Sequence, residues 1–268
     1  MSAAPGGHEL ERTRDAVVEA GRIAMRHFRR EHRRWEKGPG QIVTEADIAI
    51  DRYLHAALRR EHPSDGWLSE ETLDDSRRLG RHRVWVVDPI DGTRSFAEGL
   101  PEFTISVALL MDDRPALGFV YNPATSEMFE ARRGGGAFLN GKRVHAATPP
   151  SLEGASIVCS KGENRRRHFE ELLPHARLTT IGSLAYKLAL VAAGRFDAYL
   201  SWRRSQDWDI AAAALLLAEA GAVLSDGDGN PIALNRPHPV HDGLIAAAPE
   251  LHAAIGSATA EARRHSRR

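Results

Sequence analysis

Asp88-Pro89-Ile90-Asp91-Gly92-Thr93 sets two carboxylates three residues apart, with a glycine and a threonine directly behind them. Carboxylate oxygens are the preferred ligands of hard divalent cations such as Mg²⁺. Two acids crowded onto one short segment repel each other unless something compensates. A divalent cation does so directly; the alternative is a polar turn whose acids cap the next helix. Pro89 holds its own φ and biases Asp88 toward an extended backbone. Gly92 lets the main chain come close to a ligand. The N–H groups of Gly92 and Thr93 would open a helix aimed at the same point, which suits an anion. A cation beside a helix start implies phosphate.

Other acids stand at informative places. Glu70 and Glu71 follow the apolar Trp67-Leu68 and lie about twenty residues before the motif; they read either as an exposed acidic loop or as further ligands. Thr44-x-x-Asp47 resembles a capping box before an apolar helix, which leaves Asp47 free to face a site as well. Trp208-Asp209 opens another helix, with Asp209 either a plain cap or a third carboxylate delivered from the second half of the chain. Lys37 is a lone basic residue with no pattern of its own. The thirteen histidines show no metal-type spacing, and no Gly-x-Ser-x-Gly elbow is present. Arg132-Arg133-Gly134-Gly135-Gly136 is followed by no helix pattern and reads as a hairpin turn rather than a phosphate loop. Cys159 lies mid-strand and reads as a small core residue.

The elements that position these residues are legible in outline. Leu10, Val17, Ala20, Ala24 and Phe28 predict an amphipathic helix over Glu9 to Arg33. Trp35 to Gly40 reads as a turn-rich break. Ala46, Ile50, Leu54 and Leu58 predict a second helix from Glu45, ended by Pro63. Val84–Val87 reads as a buried strand with the acidic motif on a turn at its end. Short apolar runs follow between Phe103 and Leu139, and Asn140-Gly141 is a strong hairpin signal, so an antiparallel meander is expected. From Ala155 strands and helices alternate: strand Ile157–Cys159, helix Arg165–Leu173, strand Leu178–Thr180, helix Leu184–Ala193, strand Phe196–Leu200, and helix Ile210–Ala220 stopped by Gly221. The expected organisation is a helix pair plus mostly antiparallel sheet over 1–148 and an α/β part over 149–268.

At 268 residues and 42% hydrophobic content the chain can bury a real core. Lys plus Arg and Asp plus Glu are both 36, which speaks against a protein that coats a nucleic-acid polymer. The longest apolar run, Ile210–Ala218, is far short of the roughly 20 residues that span a bilayer. One cysteine precludes an intrachain disulfide, and Met1 to Arg14 shows no signal-peptide pattern, so a cytoplasmic location is expected. The basic end, Glu261 to Arg268, reads as a solvated tail.

Taken together, Thr44-Glu45-Ala46-Asp47, Ser69-Glu70-Glu71, Trp85 to Thr93 and Trp208-Asp209-Ile210-Ala211-Ala212 resemble the inositol monophosphatase superfamily of metal-dependent, lithium-sensitive phosphatases. The matches span residues 37 to 225. The resemblance implies a layered αβαβα sandwich, an antiparallel half joined to an α/β half as in fructose-1,6-bisphosphatase. It implies that Glu70, Asp88 and the Ile90 carbonyl hold one Mg²⁺, that Asp88, Asp91 and Asp209 hold a second, and that a weaker third sits near Glu70. Thr93, with Asp47 behind it, would orient the attacking water. Gly92 and Thr93 would bind phosphate oxygens, with Lys37 nearby. A paired-metal site activates water and stabilises entering and leaving oxygens, so hydrolysis without a covalent intermediate is expected. The substrate would be a small phosphorylated metabolite, and relatives are often homodimers.

Relatives that cleave inositol phosphates usually carry Glu seven residues before the aspartate of Trp-Asp; here Trp202 stands there. Trp202 could stack on a base, and Arg203 and Arg204 could hold a second phosphate, with Ser183 lining the same pocket. The expected activity is therefore a 3′(2′),5′-bisphosphate nucleotidase converting 3′-phosphoadenosine 5′-phosphate to AMP. The alternatives are an inositol-1-monophosphatase, a histidinol-phosphatase, or a non-catalytic metal- and phosphate-binding regulatory protein.

Overall fold

The computed structural model describes residues 5–30, 33–38, 41–149, 151–164, 169–170 and 173–266. In chain order the elements are α1 (Gly7–His27), β1 (Arg34–Gly38), β2 (Gln41–Thr44), α2 (Glu45–Leu58), β3 (Gly66–Ser69), β4 (Arg83–Asp91), α3 (Thr93–Ala97), β5 (Thr104–Met111), β6 (Arg114–Asn122), β7 (Glu127–Arg132), β8 (Gly136–Leu139) and β9 (Lys142–Val144). There follow β10 (Ser156–Cys159), α4 (Lys161–Asn164), β11 (Arg177–Thr180), α5 (Leu184–Ala192), β12 (Ala198–Gln206), α6 (Asp207–Glu219), β13 (Val223–Asp226), β14 (Val240–Ala247) and α7 (Pro249–Ser266).

A seven-stranded sheet has the order β3-β4-β5-β6-β7-β8-β9. Only β3 and β4 run parallel; the rest is an antiparallel meander. Asn140 and Gly141, both at positive φ (49° and 75°), close the hairpin between β8 and β9, the conformation a two-residue type I′ turn requires. A five-stranded sheet has the order β11-β10-β12-β14-β13, parallel on one side and antiparallel on the other.

The two sheets alternate with helices because each buries both faces. Along β4, Trp85 and Val87 face the cluster built with α1 and α2, while Val84 and Val86 face the cluster around α5 and α6. Side chains of period two make that division automatic. The helices α5 and α6 lie between the sheets, which is why Leu184–Ala192 and Ile210–Leu217 are apolar almost all round. The far face of the second sheet packs on Phe169, Leu173 and, from α7, Leu251 and Ile255. The result is the expected αβαβα layering. At Gly118 on β6 the helix backbone comes so close that an added Cβ would stand 2.6 Å from the Ala212 carbonyl oxygen.

Several boundaries differ from the sequence expectation. The first helix stops at His27, because Phe28 is extended (ψ 132°) and turns into the apolar cluster. The segment read as a turn-rich break carries β1, which pairs with β2 as an antiparallel ribbon; tertiary pairing overrides its weak local pattern. The second helix ends at Leu58, before Pro63. The helix expected over Arg165–Leu173 falls largely outside the described residues. The basic end stays helical through Ser266. Among the described residues no helix is long and apolar enough to cross a membrane.

Candidate metal and phosphate site

The acidic motif is not a turn beyond a strand: β4 continues through Asp91. Asp88 pairs with Ser106 and Asp91 with Thr104, so β4 spends one residue more than β5 over this stretch. In a regular strand residues three apart point to opposite faces. One extra residue, a β-bulge, brings them back to the same side. Pro89, which has no N–H to give, sits where the ladder is already broken. The bulge therefore explains how acids at i and i+3 converge. With Asp209 they form a cluster whose ligand oxygens all lie within 4.8 Å of one another.

Each carboxylate is held by a backbone amide. Asp88 Oδ1 accepts from Ile90 N–H at 3.0 Å. Asp91 Oδ2 accepts from Ala185 N–H at 2.6 Å and from the Ser183 hydroxyl. Asp209 is the third residue of α6, and its Oδ2 accepts from Gln206 N–H at 2.7 Å, closing a capping box. Asp47 holds the same position in α2, with its Oδ2 bound to Thr44 N–H at 2.8 Å. Its Oδ1 lies 3.3 Å from Thr93 Oγ1, which is also 2.9 Å from the Ile90 carbonyl.

Burial dominates the electrostatics. It holds the Asp88 carboxyl well above its usual range, with Glu70, Asp91 and Asp209 adding repulsion. Burial and Asp91 do the same to Asp209. Asp91 is raised by burial against the pull of Ser183 and Lys187. Asp47 is pushed up to about 6 by burial, opposed by its bonds to Thr44. These are hard oxygens gathered where water cannot stabilise their charge, and hard cations are the groups that would.

Glu70 follows β3, anchored by its N–H to the Val87 carbonyl at 3.3 Å, and lines the same cavity of about 390 Å³ as the three aspartates. Gly92 sits at φ 93° against Glu102 and Ser183, where a Cβ would stand 2.7 Å from the Glu102 carbonyl oxygen; it caps the short α3 that starts at Thr93. Gly92, Thr93, Ser183, Arg203 and Arg204 all line the cavity. Arg204 also pairs with Asp242 at 2.8 Å. Lys37 is on β1, but its side chain lies outside the described residues.

Trp202 is the exception. It is not part of the cavity wall; it meets Phe169 edge to face at 5.1 Å and packs on the outer cluster of the second sheet. The reason is again alternation: a bulge in β12 between Ser201 and Arg204 gives Ser201, Arg203 and Arg204 to the cavity and Trp202 to the back.

Two features went unread in the sequence. Ser183, expected to touch substrate, clamps Asp91 and caps α5 from an unusual φ of 56°. Lys187, in the middle of the apolar helix, is 3% exposed and lines the cavity. Its Nζ donates to the Ile181 carbonyl at 3.1 Å and the Ser160 hydroxyl at 3.4 Å. Burial lowers its pKa, while Asp91 and Glu163 work against that. A lone lysine among Leu184–Ala192 was the available signal.

The chain as a whole is similar to known proteins. The model of the inositol monophosphatase family matches residues 8–264. The chain belongs to the inositol monophosphatase family. It is 38% identical over 224 residues to an inositol-1-monophosphatase of Mesorhizobium japonicum, covering 80% of this chain and 84% of the relative. Its fold superposes with a TM-score of 0.85 on the inositol monophosphatase of Thermotoga maritima, 30% identical, over 96% of this chain and 99% of that one. The extragenic suppressor protein suhB of Bartonella henselae gives the same TM-score, 0.85, at 28% identity, over 94% and 98% of the two chains. The protein is thus a metal-dependent phosphomonoesterase acting on a small phosphorylated molecule. The reading as a non-catalytic regulator is set aside. The names these relatives carry draw the substrate away from the nucleotide expected from Trp202.

Proposed function

We propose that the protein hydrolyses the phosphate ester of a polyhydroxylated ring, inositol 1-phosphate being the representative substrate. The observation that carries the reaction class is the convergence of Asp88, Asp91 and Asp209 on one face of a cavity that Glu70 also lines. The substrate follows the inositol-1-monophosphatase name of the 38% identical relative.

Glu70, Asp88, the Ile90 carbonyl, Asp91 and Asp209 would hold two Mg²⁺ ions, with room in the acidic set for a weaker third. Bound Mg²⁺ supplies a positive field for phosphate oxygens and lowers the pKa of water. The chain's own groups do the positioning. Thr93 commits its hydroxyl proton to Asp47 or Ile90, so its lone pairs are left to accept from the attacking water. Asp47 is the stronger acceptor for that proton when it is ionised. Gly92 and Thr93 would offer N–H groups to the phosphate, and Lys37 lies on the neighbouring ribbon. Ser183 keeps Asp91 aimed inward.

A second reading has its own support. Lys187 and Arg203 place two cations on the cavity wall beside the hydroxyls of Ser160, Tyr199 and Ser201. Such a wall suits a substrate carrying a second anionic group, 3′-phosphoadenosine 5′-phosphate among them. Phosphate release from inositol 1-phosphate and from that bisphosphate, at matched Mg²⁺, separates the readings. The primary reading fails if the bisphosphate has the larger kcat/KM. The second fails if Lys187→Met leaves the ratio of the two unchanged.

A further inference from the structure

A second cavity, of about 290 Å³, opens between the end of α2, the start of β3 and the loop that follows Thr72. It shares no lining residue with the catalytic cavity. Its walls carry Arg59, Arg77, Arg78 and Arg81 against Asp65 and Asp75. Most of that charge is already matched. Arg78 is fully buried and bound to Asp74 at 2.7 Å and to Asn235 at 2.6 Å. Asp65 is taken by Arg83 and by the Trp85 indole. Arg77 pairs with Asp75.

Arg59 and Arg81 are left over. Among the described residues, the half-buried Arg59 guanidinium meets only His55 Nε2 at 2.7 Å and the Pro63 carbonyl at 2.5 Å. Burial and Arg59 both lower the pKa of His55, which keeps it neutral and able to accept. Among the described residues Arg81 reaches only the Arg77 carbonyl, at 3.4 Å. Two N–H donors on this wall, Arg59 Nε and Trp67 Nε1, are buried with no acceptor among the described residues. A half-buried cation without a counter-charge, next to an indole N–H without a partner, is costly unless an acceptor arrives. Guanidinium forks match the oxygens of phosphate better than those of any neutral group.

We propose that this cavity is a second ligand site, one that binds a small phosphate-bearing metabolite through Arg59, Arg81 and the Trp67 wall. Its position gives it a route to the catalytic centre. β3 begins at the cavity with Gly66 and Trp67 and ends one residue before Glu70.

The test follows the indole N–H resonance of Trp67, assigned with Trp67→Phe, while inorganic phosphate is titrated into the full-length Mg²⁺ enzyme. The expected result is a saturable shift that persists in Asp209→Asn and weakens about tenfold or more in Arg59→Gln/Arg81→Gln, since each lost contact is a hydrogen bond to a charged group. Arg81→Gln alone, an exposed change that the fold tolerates, should weaken it in the same direction. The proposal is overturned if Trp67 does not respond to phosphate. It is equally overturned if the double variant titrates like the wild type, or if the shift disappears in Asp209→Asn while the double variant keeps it.

Discussion

Replacing Asp209 by Asn should stabilise the metal-free protein and weaken its response to Mg²⁺. The ligand oxygens of Asp88, Asp91 and Asp209 lie within 4.8 Å of one another. Two unit charges at that distance repel by about 3.5 kcal/mol at the effective dielectric of about 20 that suits protein sites. Protonation of one member limits the cost, so about 3 kcal/mol is the scale of the relief. The amide keeps an oxygen for Gln206 N–H, so the cap of α6 survives. For a chain of this size 1 kcal/mol moves Tm by about 2–4 °C, which gives a gain of about 6–12 °C in EDTA at pH near 8. The gain should shrink with acidity. Carboxyls whose folded pKa is raised keep protons that the unfolded chain has released, so wild-type stability falls as pH rises from the ordinary carboxylate range through the raised values. Below the ordinary carboxylate range the cluster is protonated in both states and the advantage of Asn vanishes. Mg²⁺ at about 1,000 times its Kd should reverse the order, since it contributes about 4.1 kcal/mol to the form that binds it, more than the roughly 3 kcal/mol relieved by Asn. Thermal unfolding of both proteins, with EDTA and with Mg²⁺, supplies the four numbers needed. A variant no more stable than wild type in EDTA at high pH, or an equal Mg²⁺ gain in both, would refute the reasoning.

Asp47→Asn should lower kcat by about 10² or more with little change in KM, and wild-type activity should rise through pH about 6 as Asp47 ionises; a pH–rate profile of both proteins decides, and an unchanged acidic limb in the variant would remove Asp47 from the proton path. Gly118→Ala should cost about 1–3 kcal/mol by driving a methyl into the Ala212 carbonyl, read as a lower denaturant midpoint, and no loss would mean that β6 and α6 can separate freely. Trp202→Ala should lower stability by about 1–3 kcal/mol through the lost contact with Phe169 and leave kcat/KM for either candidate substrate unchanged; a selective loss on the nucleotide would restore the stacking role.

What the sequence made legible was whatever local pattern decides. The meander was readable from turn chemistry at Asn140-Gly141, and the inter-sheet helices from their unbroken apolar faces. The αβαβα layering and the acidic cluster came from motifs and the family resemblance. What it hid depends on register. Whether Trp202 faces the cavity or the outer cluster is decided by the bulge between Ser201 and Arg204, and a shift of one residue exchanges the two faces of a strand. No count of residues from Asp209 could find that. The bulge in β4 was hidden for the same reason, since the motif reads equally well as a turn. Lys187 was passed over because the helix pattern of Leu184–Ala193 runs through it and does not tell which face looks into a cavity.

The competition between a cap and a place in the site, at Asp47 and at Asp209, dissolves once the two oxygens of a carboxylate are considered separately. In both residues Oδ2 takes the backbone N–H that closes a capping box. In Asp47 the other oxygen reaches Thr93. Asp88 and Asp91 repeat the device with the amides of Ile90 and Ala185. An acid so tied loses little further freedom when a cation arrives, because its rotamer is already set. The tie has a second effect: each amide dipole partly offsets the negative charge that burial penalises, so the cluster can persist without its cation. The caps are therefore part of the site. Glu70 is anchored through its own N–H, which donates to the Val87 carbonyl. It lines the catalytic cavity from the end of the strand that begins at the arginine-lined cavity.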